Sequence, residues 1–258
     1  MIPEYFDIHS HLDFKDYDLD REAVIEELKK NNVWAINVGV NFETSKSAVA
    51  LAEKHENLFA TIGLHPHDDL TESFNEKEYE KLVVHPKVVA IGECGLDYAR
   101  KPEASEITRQ KAEFEKQIEF TLKHNKPLMI HCRDAYPDVL EILKSKQQTY
   151  GEKIRGNFHF FTSPIEIAKK CLEIGFTVSF TGPITYGNQY DEVVKYVPLD
   201  RMMAETDAPF AAPVPFRGKR NNPLYVREIV KRIAEIKALP LETVQSALVQ
   251  NARNLFKI

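Results

Sequence analysis

Val88-Val89-Ala90-Ile91-Gly92-Glu93-Cys94 opens with four apolar residues in a row and, after a glycine, arrives at a carboxylate. A strand apolar at consecutive positions has no solvent face, so it belongs in a sheet covered on both sides. The same design recurs along the chain, at residues 5–11, 33–40, 58–64, 127–131, 156–160, 176–180 and 202–205, which makes eight strands in all. Between them apolar residues repeat at helical spacing, as with Ala23, Ile25 and Leu28, or Phe114, Ile118, Phe120 and Leu122. Eight doubly covered strands, each followed by a helix, predict a closed parallel sheet with right-handed crossovers, the (β/α)8 barrel. A ninth helix over 240–255 presents Leu241, Val244, Leu248 and Leu255 on one side and extends the chain beyond the eighth unit.

Length and composition fit that expectation. The chain has 258 residues, 43% of them hydrophobic, enough for one barrel domain spanning residues 1–258. A formal net charge of −5 offers no long-range attraction to polyanions, so any nucleic acid contact must be local. Three cysteines point to a reducing compartment rather than a disulfide framework. The first residues lack a basic segment followed by an apolar run, and no window approaches the length of a membrane span. A cytoplasmic protein with no membrane contact and no obligate protein partner is expected.

Where the strands surface, metal-binding side chains follow. His9 and His11 end the first, Glu93 the fourth, His131 the fifth and His159 the sixth, and Asp207 follows the eighth. A barrel gathers the carboxyl ends of its strands at one rim, so these six converge. His9 and His11, two apart, share a face and hold one ion with Asp207 from the neighbouring eighth strand. Glu93 has two oxygens and bridges to a second ion on His131 and His159. Imidazoles with carboxylates suit magnesium, manganese, zinc or nickel. Such a pair of ions clamps a phosphoryl or carbonyl oxygen and activates water, with Asp207 as the base and Glu93 as its catalytic partner. Taken singly, a strand-end histidine is ordinarily a hydrogen-bonded structural residue, and Asp207 before Ala208-Pro209 reads equally as a turn cap. Jointly, six on five strand ends point to a metal centre.

A second group of residues stands beside these. His65, in Gly63-Leu64-His65-Pro66-His67, is placed to bind a substrate oxyanion or phosphate, with His67 as a loop residue. Asp97 and Tyr98 are placed at the mouth, Asp97 as an acceptor that fixes a ligand histidine. Glu205 shares Asp207's face and is counted with the substrate-binding residues, where it holds a further ion, orients water, or is a buried partner for an arginine. Arg133, two after His131, reaches toward a phosphate. The long loop 209–223 carries Arg217, Lys219 and Arg220, a cluster suited to a phosphodiester or simply a solvated charged loop. Cys94 and Cys132 read as small core residues, and His55, His85 and His124 carry no assigned chemistry.

Read in order, Asp7-Ile8-His9-Ser10-His11, Gly63-Leu64-His65-Pro66-His67, Gly92-Glu93-Cys94-Gly95-Leu96-Asp97-Tyr98, His131-Cys132-Arg133, His159-Phe160-Phe161-Thr162, Glu205-Thr206-Asp207-Ala208-Pro209 and Arg217-Gly218-Lys219-Arg220-Asn221 resemble the TatD family of metal-dependent hydrolases across nearly the whole chain. The resemblance implies an amidohydrolase-like barrel. It also implies a deoxyribonuclease that uses metal-activated water, commonly 3′-to-5′ on single strands, so that DNA with single-stranded or frayed ends is the expected partner. By the same carry-over His9, His11, Glu93 and Asp207 hold one ion, while Glu93, His131 and His159 hold the other. Phe160-Phe161 and Ser163 depart from the family's usual residues beside the sixth-strand histidine, which bears on substrate fit alone. The competing readings are an amidohydrolase or esterase acting on a small carbonyl substrate, and a catalytically silent binding protein on the same fold.

Overall fold

The computed structural model describes residues 2–67 and 71–258. Its eight strands are β1 (Tyr5–Ser10), β2 (Val33–Val38), β3 (Leu58–Ile62), β4 (Val88–Asp97), β5 (Leu128–Arg133), β6 (Gly156–Phe158), β7 (Thr177–Phe180) and β8 (Met202–Ala204). They form one parallel sheet in sequence order. The sheet closes on itself just past β8: Ser10 bridges Ala208, Asp207 N donates to His9 O at 2.8 Å, and His11 N to Ala208 O at 2.7 Å. The helices α1 (Arg21–Lys30), α2 (Phe42–Lys54), α3 (Glu76–Val83), α4 (Ala104–His124), α5 (Tyr136–Tyr150), α6 (Ile165–Glu173), α7 (Asp191–Tyr196) and α8 (Val226–Lys237) alternate with the strands. The expected (β/α)8 barrel is the observed architecture. Among the described residues no helix is long and apolar enough to cross a membrane.

Two apolar layers hold the barrel. The larger lies between strands and helices, where the outward side chains Val33, Leu58, Val88, Leu128 and Val178 meet Leu28, Leu51, Ile118 and Leu143. The smaller fills the inside: Phe6, Ile36, Phe59, Val89, Met129 and Met203, from six different strands, share a cluster with Val249, Ala252 and Phe256. Those last three belong to α9 (Leu241–Phe256), the expected extra helix, which covers the end where the strands begin. Each such side chain taken fully from water contributes about 1.5–3 kcal/mol, so this plug is a major source of stability. Asn251 fastens the helix by donating from Nδ2 to Leu199 O at 2.7 Å and Met202 O at 2.8 Å.

Two irregularities decide what the other end of the barrel presents. Between Asp7 and Ser10, β1 advances three residues against two of β2, since Asp7 pairs with Ala35 and Ser10 with Asn37. The extra residue resets the alternation, so Ile8 joins the inner cluster while His9 and His11 also face inward, one layer higher. β4 does the same against β5, with Ile91 opposite Leu128 and Cys94 opposite Ile130. Glycine makes this possible. Gly92 and Gly95 adopt φ of +146° and +145°, and a Cβ at either would stand 2.3 Å from Met129 O or 2.0 Å from His131 O. Glu93 is thereby pressed against the strand that carries His131. β4 also runs four residues past Glu93, further than the apolar run suggests, because Asp97 stays paired with Arg133.

Candidate metal centre

All six strand-end residues meet at the carboxyl rim, around Glu93. Its Oε1 lies 2.8 Å from His131 Nδ1 and 2.7 Å from His159 Nε2. Its Oε2 lies 3.4 Å from His9 Nε2 and 3.9 Å from His11 Nε2. Asp207 Oδ1 completes the ring, 3.6 Å from His9 Nε2 and 3.4 Å from His11 Nε2. His9 and His11 point their Nε2 atoms at each other across 3.3 Å, and the His9 and His159 rings stack at 3.9 Å. Asp207 sits at φ 54° and Phe160, next to His159, at φ 50°. Left-handed backbone at a residue with a side chain costs on the order of 1–3 kcal/mol, a strain the surrounding hydrogen bonds must hold.

The donor set fits divalent cations. Two donors each about 2.1 Å from one ion stand about 3.0–3.5 Å apart; His9–His11, His9–Glu93 and His11–Asp207 lie at 3.3, 3.4 and 3.4 Å, and His9–Asp207 and His11–Glu93 slightly wider at 3.6 and 3.9 Å. Groupings of this kind are His9 with His11 and Glu93, all buried, and the partly buried sets His9 with His159 and Asp207, and His65 with Glu93 and His131. The protonation preferences agree. Burial alone would raise the Glu93 carboxyl, yet the surrounding imidazoles hold it well below the ordinary carboxylate range. Burial opposes a proton on His11, but Asp207 and Glu93 outweigh it and raise the imidazole to about 9. His159 is likewise driven well up by Glu93 and Glu205 against the effect of burial, and His131 is raised by Asp97 and Glu93. His9 is lowered, by burial first and then by His159. The cavity thus draws positive charge, supplied by protons when no cation is bound.

Behind the ring a second set of polar groups fixes it. His131 Nε2 meets Asp97 Oδ2 at 2.9 Å, and Asp97 Oδ1 accepts from Ala99 N at 2.9 Å. Burial would raise Asp97, but these bonds hold it down to about 2. Glu205, expected among the substrate contacts, is fully buried: Oε1 accepts from Phe160 N at 2.5 Å, Oε2 from Ser179 Oγ at 2.6 Å, and Oε1 lies 3.6 Å from His159 Nδ1. No arginine meets it among the described residues. His11 turns its Nδ1 to Val38 O at 3.0 Å, which leaves Nε2 for the cavity. Asp7, buried and raised well above its usual range by that burial, joins β1 to β8 through Thr206 N at 2.8 Å and Thr206 Oγ1 at 2.5 Å.

A cleft of about 600 Å³ opens over this ring. His65 reaches it, with Nε2 3.6 Å from Glu93 Oε1, and burial followed by the nearby His131 lowers its imidazole to about 3. His67, Asp97 and Arg133 also line the cleft. Tyr98 does not; its hydroxyl donates to Asp138 Oδ2 at 2.8 Å. Arg217 and Lys219 are exposed and lie outside the lining, Arg217 over the Tyr186 ring at 4.4 Å, while Arg220 pairs with Asp20 at 2.6 Å. Cys94 is buried core, whereas Cys132 touches the cleft. The lining adds residues that sequence reading passed over: Arg100, Phe14, Tyr190 and Phe210. Each lies on a loop, with no periodicity to mark it.

Comparison with known proteins points the same way. Residues 6–257 match the family model described as TatD related DNase. The chain is 42% identical over 258 residues to the uncharacterized metal-dependent hydrolase YabD of Bacillus subtilis (strain 168), across 98% of this chain and 99% of that protein. It is 34% identical over 258 residues to the uncharacterized metal-dependent hydrolase YcfH of Escherichia coli (strain K12), across 98% and 95%. The crystal structure of YjjV, a TatD homologue from Escherichia coli K12, superimposes with a TM-score of 0.90 at 26% identity, with 100% of both chains covered.

Proposed function

We propose, since this chain belongs to the TatD-related DNase family of metal-dependent hydrolases, that it cleaves DNA phosphodiester bonds from single-stranded or frayed ends, 3′-to-5′, with two divalent cations. The observation that carries this reading is the posture of Glu93. One of its oxygens faces His131 and His159 and the other faces His9 and His11, so a single carboxylate serves two neighbouring sites. His9, His11, Glu93 and Asp207 would hold one cation, and Glu93, His131 and His159 the other. Cations bound there supply Lewis-acid polarisation of the phosphoryl group and bring water's pKa from about 15.7 toward about 7.

The chain's own residues do the rest. Asp207 is more open to the cleft than Glu93, its side chain 14% exposed against 5%, and it is the base that takes the proton of the attacking water. His65 and Arg133 face the same cleft and bind the phosphate oxygens. Asp97 and Glu205 keep His131 and His159 in place, so Glu205 acts as a positioning residue. A net charge of −5 keeps long duplexes at a distance and favours short ends gripped at the mouth. The test is a 5′-labelled single-stranded oligonucleotide incubated with manganese-loaded protein. A ladder of shortened products is expected; its absence from protein with both sites filled would overturn the reading.

A further inference from the structure

The rim of the cleft is divided by chemistry according to strand. After β4 and at the end of β5 stand Arg100 and Arg133, whose strand ends are adjacent: Asp97 pairs with Arg133, and Tyr98 N donates to Arg133 O at 2.8 Å. Both arginines are exposed, and among the described residues neither meets a carboxylate. After β6, β7, β8 and β1 stand Phe160, Tyr190, Phe210 and Phe14, all lining the cleft. One arc is cationic, and the opposite arc is aromatic.

Phe210 is the exposed member of the aromatic arc, with 52% of its surface open. A lone exposed phenylalanine is ordinary, but this one is held firmly. Its N–H donates to Asp207 O at 2.8 Å, and its carbonyl accepts from the buried Asn221 Nδ2 at 2.6 Å. Asn221 in turn donates from its backbone to Pro209 O at 3.0 Å. The ring stands edge-on to Phe14 at 6.3 Å, and Phe14 lies flat on His11 at 4.6 Å. The aromatic arc thus adjoins the histidines of the ring and carries at its lip an open aromatic side chain on a hydrogen-bonded backbone. An aromatic platform facing a cationic groove is the arrangement that binds single strands without reading sequence, since every base has a π face and every linkage a phosphate.

We infer that Phe210 is the stacking platform for the base of the terminal nucleotide, with Arg100 and Arg133 holding the next phosphate across the cleft. This rests on the nuclease reading above and specifies its substrate: a strand end whose last nucleotide carries a base.

The experiment compares manganese-loaded protein on two single-stranded oligonucleotides, one with an ordinary 3′-terminal nucleotide and one whose terminal nucleotide is abasic. KM for the abasic end is expected to be about tenfold or more higher, in line with the loss of one base–aromatic stack. Phe210→Ala collapses that ratio toward one, Phe210→Tyr retains it, and Arg133→Ala raises KM for both ends alike. Equal KM values for the two ends with the native protein, or a Phe210→Ala variant that keeps the ratio, would overturn the inference while leaving the nuclease reading intact. Failure to shorten either oligonucleotide would overturn both.

Discussion

The two ends of the barrel are made by the same strands and do opposite work. At the end where the strands begin, Phe6, Ile36, Phe59, Val89, Met129 and Met203 pack with Val249, Ala252 and Phe256 of α9 into a cluster free of charge. At the end where they finish, His9, His11, Glu93, His131 and Asp207 crowd together with neighbouring polar atoms 2.8–3.9 Å apart. Within β1 the change takes one step, from Ile8 to His9, where the extra residue sits. Hydrophobic burial at one end stabilises the fold and lets the other hold mutually repelling imidazoles and left-handed backbone. Stability and chemistry should therefore respond to different substitutions.

The sharpest break between the ends is Asp207→Asn, which removes the proposed base and one proposed cation ligand. Hydrolytic rate is expected to fall by about a thousandfold or more while the melting temperature of metal-free protein changes little, measurable by oligonucleotide assay and calorimetry. The mirror experiment is Phe256→Ala in the plug, expected to cost about 3–5 kcal/mol in denaturant unfolding with activity per folded molecule retained. Next comes Asp97→Asn, which weakens the support of His131. Metal affinity should drop about 10- to 100-fold in a calorimetric titration, with the plug and the cleft unaltered.

Acidity offers a milder test. His11 is raised to about 9, so below that pH a cation must displace its proton. Affinity should therefore rise with pH up to about 9, about tenfold per unit for each proton released. A flat profile would contradict the charge balance assigned to the centre. The smallest effect is expected from Arg217→Ala with Lys219→Ala: both residues lie outside the cleft, so KM should rise less than in Arg133→Ala.

Much of this division was legible in the chain. Consecutive apolar residues at 88–91 mark a strand without a solvent face, and eight such runs leave a closed barrel as the economical solution. His9 and His11, two apart, share a face as alternation requires. The bulge that sets them on the same side as Ile8 was not legible, because it depends on the register between β1 and β2. Loop residues were harder still. Arg217 and Lys219 look well placed by sequence distance from Asp207, yet the loop is routed by Asn221, whose Nδ2 bonds Thr206 O at 2.8 Å and Phe210 O at 2.6 Å. That routing brings Phe210 to the cleft and leaves the two cations outside its lining. Glu205 shows a similar limit, since its partners Ser179 and Phe160 come from β7 and from the loop after β6.

The most direct test of the account is anomalous scattering from a crystal grown with saturating manganese, refined for ion count and position. Two peaks on either side of the Glu93 carboxylate, one against His9, His11 and Asp207 and the other against His131 and His159, are the predicted result. A rim with no ordered ion, or a single ion that leaves one Glu93 oxygen bonded only to protein, would contradict it.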